Sequence, residues 1–196
     1  MPVTPSIAVV YFSGFGHTRA IAECIAVGAR RAGAAAHTVD ATTLPPDGKG
    51  GAWDTLHSAA ALVFGSPTYM GSIAAKFKTF MESTGTVWKH QSWKDKLAAG
   101  FTVSGSPCGD NLNVLTDLSL FAAQHSMIWV SLGVFSVDGP PESAATANRL
   151  GSWLGLAAQA DDAPPEVTPP ASDRATAEAF GERIARAAER WGSGGA

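Results

Sequence analysis

The stretch Val9–Glu23, VVYFSGFGHTRAIAE, decides the fold. An apolar run rich in β-branched and aromatic residues ends at Ser13. Two glycines and a hydroxyl residue follow. From Thr18 the pattern becomes that of an amphipathic helix, TRAIAECIAVGARRAG, closed by an arginine-rich last turn and Gly33. A strand passing through a short Gly/Ser/Thr turn into a helix is the opening unit of an α/β sheet. Such a turn also presents backbone N–H groups, hydroxyls and a helix N-terminus, the parts of a phosphate site.

The rest of the chain repeats this alternation. Apolar runs begin at Ile7 (IAVVYF), Ala61 (ALVFG), Leu97 (LAAGFTV) and Met127 (MIWVSLG), with a weaker one at Ala35 (AAHTVD). The strong runs are apolar nearly throughout rather than alternating, which marks strands covered on both faces of a parallel sheet. Helical patterns separate them: SIAAKFKTFMEST after the third strand, NLNVLTDLSLFAAQHS after the fourth, and SDRATAEAFGERIARAAERW near the end. Ser172 and Asp173 are N-cap candidates for the last of these. The order predicts a single domain over 1–196, a doubly wound α/β fold with a five-stranded parallel sheet in the flavodoxin-like order 2-1-3-4-5 and right-handed crossovers. The stretch 136–171, rich in Pro, Gly and small residues, reads as one long loop.

Bulk properties exclude several functions. The formal net charge is −3, far from the basic balance of a polyanion binder, so no nucleic-acid role is expected. Hydrophobic residues make up 45% of 196, enough for a core at this length. Cys24 and Cys108 are too few and too far apart for a disulfide framework. The five histidines show no metal-ligand spacing. The first dozen residues lack a basic leader segment, and no apolar run reaches membrane-span length, so a cytoplasmic protein is expected.

Three loops leave the carboxyl ends of strands that the predicted order makes neighbours: SGFGHT, SPTYMGS and SGSPCGDN. Ligands of open α/β sheets bind at that place. The first loop is not a nucleotide-hydrolysing P-loop, because the Gly-Lys-Ser/Thr ending is absent. It is a poor dinucleotide fingerprint, because Arg19 stands at the third glycine position, although Asp40 lies about twenty residues on. The second loop sets Tyr69 and Met70 beside Pro67 and Gly71, a wall for a planar ring. The third offers small residues that let backbone donors approach a ligand edge. A planar ring bearing one phosphate satisfies all three, and FMN has that form.

These segments resemble the flavodoxin-like NAD(P)H:quinone oxidoreductases, the group named for a tryptophan-repressor-binding protein, and the related NADPH-dependent FMN reductases. The matching residues are YFSGFGHTRAIA, FGSPTYMGSIAAKFKTFMESTGTVW, DKLAAGFTVSGSPCG and AAQHSMIWVSLG, so the likeness runs to about Gly133. It implies an FMN enzyme moving two electrons from NADH or NADPH to a quinone, as a homodimer or homotetramer. The family's phosphate loop falls on Ser13, Gly14, Phe15, Gly16, His17 and Thr18. Its ring-contacting loop falls on Pro67, Thr68, Tyr69, Met70 and Gly71. Its third loop falls on Ser104, Gly105, Ser106 and Gly109. Its flavin-proximal His matches His125, and its site-lining Trp matches Trp88. No side-chain acid, base or nucleophile is required, since the cofactor carries the chemistry.

Plainer readings stand beside these. His125 sits near a helix end, where a His caps carbonyls or packs. Trp88 suits a core or a subunit contact, and His17 either lines the site or faces solvent. The chain also departs from the pattern: Tyr69 replaces a common Arg, and Pro107-Cys108 interrupts a usually Gly/Thr-rich loop. Two other functions fit the same fold, a flavodoxin-type one-electron carrier and a flavin-free binding module.

Overall fold

A computed structural model describes residues 4–193. Strands β1 (Ser6–Tyr11), β2 (Ala35–Asp40), β3 (Ala61–Tyr69), β5 (Leu97–Ser104) and β6 (Ile128–Trp129) form one parallel sheet in the order β2-β1-β3-β5-β6. The expected strand order is met, with two short strands added, the first beside β3. The two-residue strand β4 (Ser72–Ile73) folds back on β3 as an antiparallel hairpin through Met70 and Gly71, both at positive φ. The helical pattern read from Ser72 therefore starts late, at Ala75.

Helices α1 (His17–Arg31) and α6 (Ala171–Ser193) cover one face. Helices α2 (Ala52–Ser58), α3 (Ala75–Ser83), α4 (Gly85–Lys89) and α5 (Asn111–Gln124) belong to the other. Alternate residues of β1, with Phe12 just after it, divide between two cores: Ile7, Val9 and Tyr11 pack toward α1 and α6, whereas Ala8, Val10 and Phe12 pack toward Trp53, Phe77, Phe80 and Trp93. Both faces are apolar because both are buried. On the first face, α1 and α6 approach backbone to backbone. A Cβ on Gly28 would collide with the Glu178 carbonyl, and one on Gly181 with the Ile25 carbonyl. Glycine inside a helix costs helical propensity, and here it permits that contact.

The fifth strand departs from expectation. Of MIWVSLG only Ile128 and Trp129 pair in a strand, opposite Leu97 and Ala98. The chain then leaves the sheet and returns as β7 (Leu156–Gln159), parallel to Phe101–Ser104 on the same edge of β5. Two short segments thus fill one edge position. Trp129 marks the break: its ring lies over Gly100, where a Cβ would come within 2.7 Å of it, and its Nε1–H donates to the Leu154 carbonyl at 2.8 Å. The stretch 136–171 is therefore not a single loop. It holds β7 and ends as α6 begins. Ser172 and Asp173 lie inside the first turn of α6 and are buried rather than capping it from outside.

Candidate functional site

At the carboxyl end of β1 the Ser13 hydroxyl accepts the Gly16 N–H at 3.0 Å, tightening the turn. Gly16 takes φ 93° and leads into α1, which no side chain caps. The first-turn N–H groups of α1 therefore lack a capping partner and sit at the positive end of the helix dipole. A side chain at residue 16 is excluded twice, by its backbone angle and by the Pro165 ring 2.8 Å from where a Cβ would stand.

The second loop closes on the first. Tyr69 lies edge-on to Phe15, with ring centroids 6.3 Å apart, and its hydroxyl occupies the space a Gly14 Cβ would need. Burial pushes the Tyr69 phenol above its ordinary value. Below it, the Thr68 hydroxyl meets the Thr102 hydroxyl at 2.8 Å and donates to Asn111 Oδ1 at 3.0 Å, joining β3, β5 and α5. The third loop folds on itself: Ser104 Oγ–H donates to the Ser106 carbonyl at 2.8 Å, and Gly109, at φ 52°, leaves room for the Ser104 side chain.

These loops bound a cavity of about 470 Å³. Ser13, Gly14, Phe15, His17 and Thr18 line it from the first loop, Pro67, Thr68 and Tyr69 from the second, and Ser104 and Gly105 from the third. Gly16, Met70, Gly71, Ser106 and Gly109 stay outside the lining. Gly16, Met70, Gly71 and Gly109 take positive φ in the turns, Ser106 supplies the carbonyl that Ser104 holds, and the Met70 side chain is fully exposed.

The fourth wall, Ala160–Pro165, was missed by the sequence reading because it lay inside the supposed long loop. The β7 strand puts it there. His17 Nε2–H donates to the Ala163 carbonyl at 2.8 Å, and Arg174 donates to the carbonyls of Pro165 and Pro169. His17 thus lines the cavity while its ring latches the far wall. The acidic pair Asp161–Asp162 and the Pro164–Pro165 pair are the sequence signals that could have marked it.

His125 and Trp88 are brought together, in a second cavity of about 570 Å³ lined from α3, α4 and α5. They do not line the first. His125 is only 1% exposed and packs on Trp93 and Phe121, with centroids 4.9 and 4.8 Å away. The Thr84 hydroxyl proton goes to the Met81 carbonyl at 2.7 Å, so Thr84 Oγ1 accepts from His125 Nε2–H at 3.0 Å. That fixes the neutral tautomer with a bare, unpartnered Nδ1. Burial pushes the imidazole down to about 4.

A family model described as NADPH-dependent FMN reductase matches residues 15–141. The chain belongs to that family. It is a flavodoxin-like member of an FMN-binding oxidoreductase group. It is 38% identical over 178 residues to Flavodoxin FldP of Pseudomonas aeruginosa, covering 91% of this chain and 94% of the relative. It is 31% identical to Protoplast secreted protein 2 of Saccharomyces cerevisiae over 68% of this chain and 73% of that one. The crystal structure of the flavodoxin, WrbA-like protein from Agrobacterium tumefaciens superposes with a TM-score of 0.73 at 36% identity. That match covers 95% of this chain and 99% of the other. The first cavity of this family member suits FMN: an uncapped helix end for a phosphate, an aromatic-edged loop for a ring, and Gly105 where a ligand edge must come close to backbone.

Proposed function

We propose that this chain holds FMN in the first cavity and passes two electrons from NADH or NADPH to a quinone or similar small acceptor. The observation that carries the reading is the uncapped N-terminus of α1 opening into a cavity that all three strand-end loops share. FMN, when bound, would supply the two-electron redox chemistry between nicotinamide and acceptor. The protein's part is to bind and orient it. The first-turn N–H groups of α1 and the hydroxyls of Ser13 and Thr18 would hold the phosphate, without a lysine or arginine in the lining. Tyr69 and Pro67 would border the ring, and the third loop would offer it backbone donors. The rim of the second cavity exposes Trp88 and Leu120, an apolar surface that supports a homodimer or homotetramer. Among the described residues no helix is long and apolar enough to cross a membrane.

A second reading has its own support: one relative is named a flavodoxin, which favours a one-electron carrier. One experiment separates them. The purified protein should be yellow or take up FMN. It should then oxidise NADH or NADPH steadily when benzoquinone is added. Flavin uptake without nicotinamide oxidation would favour the carrier. Failure to bind FMN would leave a flavin-free binding module.

A further inference from the structure

The insertion that splits the sheet edge, residues 130–155, carries Arg149 to a buried site that the proposed chemistry does not use. Arg149 is 15% exposed and Asp173, in the first turn of α6, is 3% exposed. The guanidinium forks onto the carboxylate: Nε donates to Oδ1 at 2.7 Å and Nη2 to Oδ2 at 3.0 Å. Oδ2 also accepts the backbone N–H of Gln159 at 2.8 Å. The Gln159 side chain completes the chain of contacts. Its Oε1 accepts from Nη1 and Nη2 of Arg149 at 3.3 and 3.2 Å, and its Nε2 donates to the Gly105 carbonyl at 3.2 Å. A guanidinium has only donors, so it fixes which way the amide faces: oxygen to Arg149, nitrogen to Gly105.

The Gly105 carbonyl is the second in a row to be held from β7. The Ser104 carbonyl already accepts the Ala160 N–H at 2.9 Å. In a trans peptide the N–H points opposite to the C=O. With both carbonyls drawn toward β7, the N–H groups of Gly105 and Ser106 turn to the other side. There β3 and the second loop lie, because β3 pairs with the opposite edge of β5. Among the described residues neither N–H meets a protein acceptor.

We infer that Gln159, oriented by the buried Arg149–Asp173 pair, is a positioning residue that holds the Gly105–Ser106 peptide, so that the third loop keeps Gly105 in the wall of the cofactor cavity with its N–H turned toward the side of the second loop. The inference rests on the FMN reading for its ligand. It also gives the insertion a task, delivery of Arg149. An ion pair serving only to pin the insertion to α6 would not need Gln159, whose amide nitrogen leaves that cluster for the wall of the cavity.

The test uses Gln159→Met, which keeps the side chain's length and removes its hydrogen bonds, and Arg149→Lys, which keeps the charge and loses the fork. The backbone amide resonances of Gly105 and Ser106 are followed by NMR without added flavin, then FMN affinity by flavin fluorescence and the midpoint potential of the bound flavin by dye equilibration. Loss of the Gln159 bond to the Gly105 carbonyl predicts displaced or broadened amide resonances at Ser106, and FMN binding weaker by about five- to tenfold, in Gln159→Met. The potential should shift with them, and Arg149→Lys should move the same readouts less. Wild-type amide resonances at Gly105 and Ser106 in Gln159→Met, whatever its melting temperature, overturn the inference. So do displaced resonances with wild-type FMN affinity and potential. If the wild-type protein takes no FMN, the functional reading fails on its own, and the amide resonances still decide whether Gln159 holds the loop.

Discussion

The cavity at the strand ends is walled by turns, small residues and an uncapped helix end, whereas the cavity between α3, α4 and α5 has a floor of core aromatics. In the first, Gly14 and Gly105 bring backbone to the cavity wall. In the second, His125 is a neutral ring wedged between Trp93 and Phe121, with one nitrogen on Thr84 and the other bare. The contrast separates two kinds of residue that resemblance to a family assigns to one site. Substitutions at the first cavity should act on flavin and leave the fold alone. Substitutions at the second should act on stability and leave flavin affinity alone within a single chain.

The largest expected effect is at Thr18, 2% exposed at the mouth of α1. Thr18→Asp would set a carboxylate beside a bound phosphate, and two unit charges about 4 Å apart repel by about 4 kcal/mol at an effective dielectric constant near 20. FMN affinity should fall roughly a thousandfold while circular dichroism and melting stay close to wild type. Affinity within threefold of wild type would move the phosphate out of the first loop and erase the contrast.

Next comes His125. Its unfolded imidazole titrates near 6.5, and the folded one near 4. Between those values the unfolded chain binds a proton that the folded chain refuses. Stability is therefore undiminished above about pH 6.5 and falls as the pH drops toward 4, by up to about 3 kcal/mol. Urea melts of wild type and His125→Leu across pH 4–8 check this. The part of the acid loss due to His125 should vanish in the variant, with FMN affinity unchanged. A variant that melts normally but loses FMN would join the second cavity to the first, most simply through a partner subunit.

The smallest effect is expected at Tyr69. An edge-to-face aromatic contact is worth about 1 kcal/mol, so Tyr69→Ala should weaken FMN by about fivefold and shift the flavin absorption bands, with little change in melting temperature. A lower melting temperature with an unchanged spectrum would make Tyr69 a packing residue, closer in kind to His125.

The sequence by itself determined the parallel sheet, its order and the strand-end position of three loops. Those features rest on local patterns: uninterrupted apolar runs such as IAVVYF, helix periodicity from Thr18, and glycine at turns needing positive φ. The three loops that supply most of the first cavity's lining were legible for the same reason, since each is a turn written in consecutive residues. Only the tertiary structure decided the rest. A four-residue run with two alanines at its centre, LAAQ, carries no strand signal of its own; it becomes β7 because β5 leaves an unpaired edge beyond Trp129. The Ala160–Pro165 wall and the Arg149–Asp173–Gln159 cluster follow from that pairing, which joins residues far apart in sequence. His125 shows the same limit from the other side. A histidine near a helix end reads alike whether it meets a ligand or a core, and what surrounds it in space, Trp93, Phe121 and Thr84, made it core.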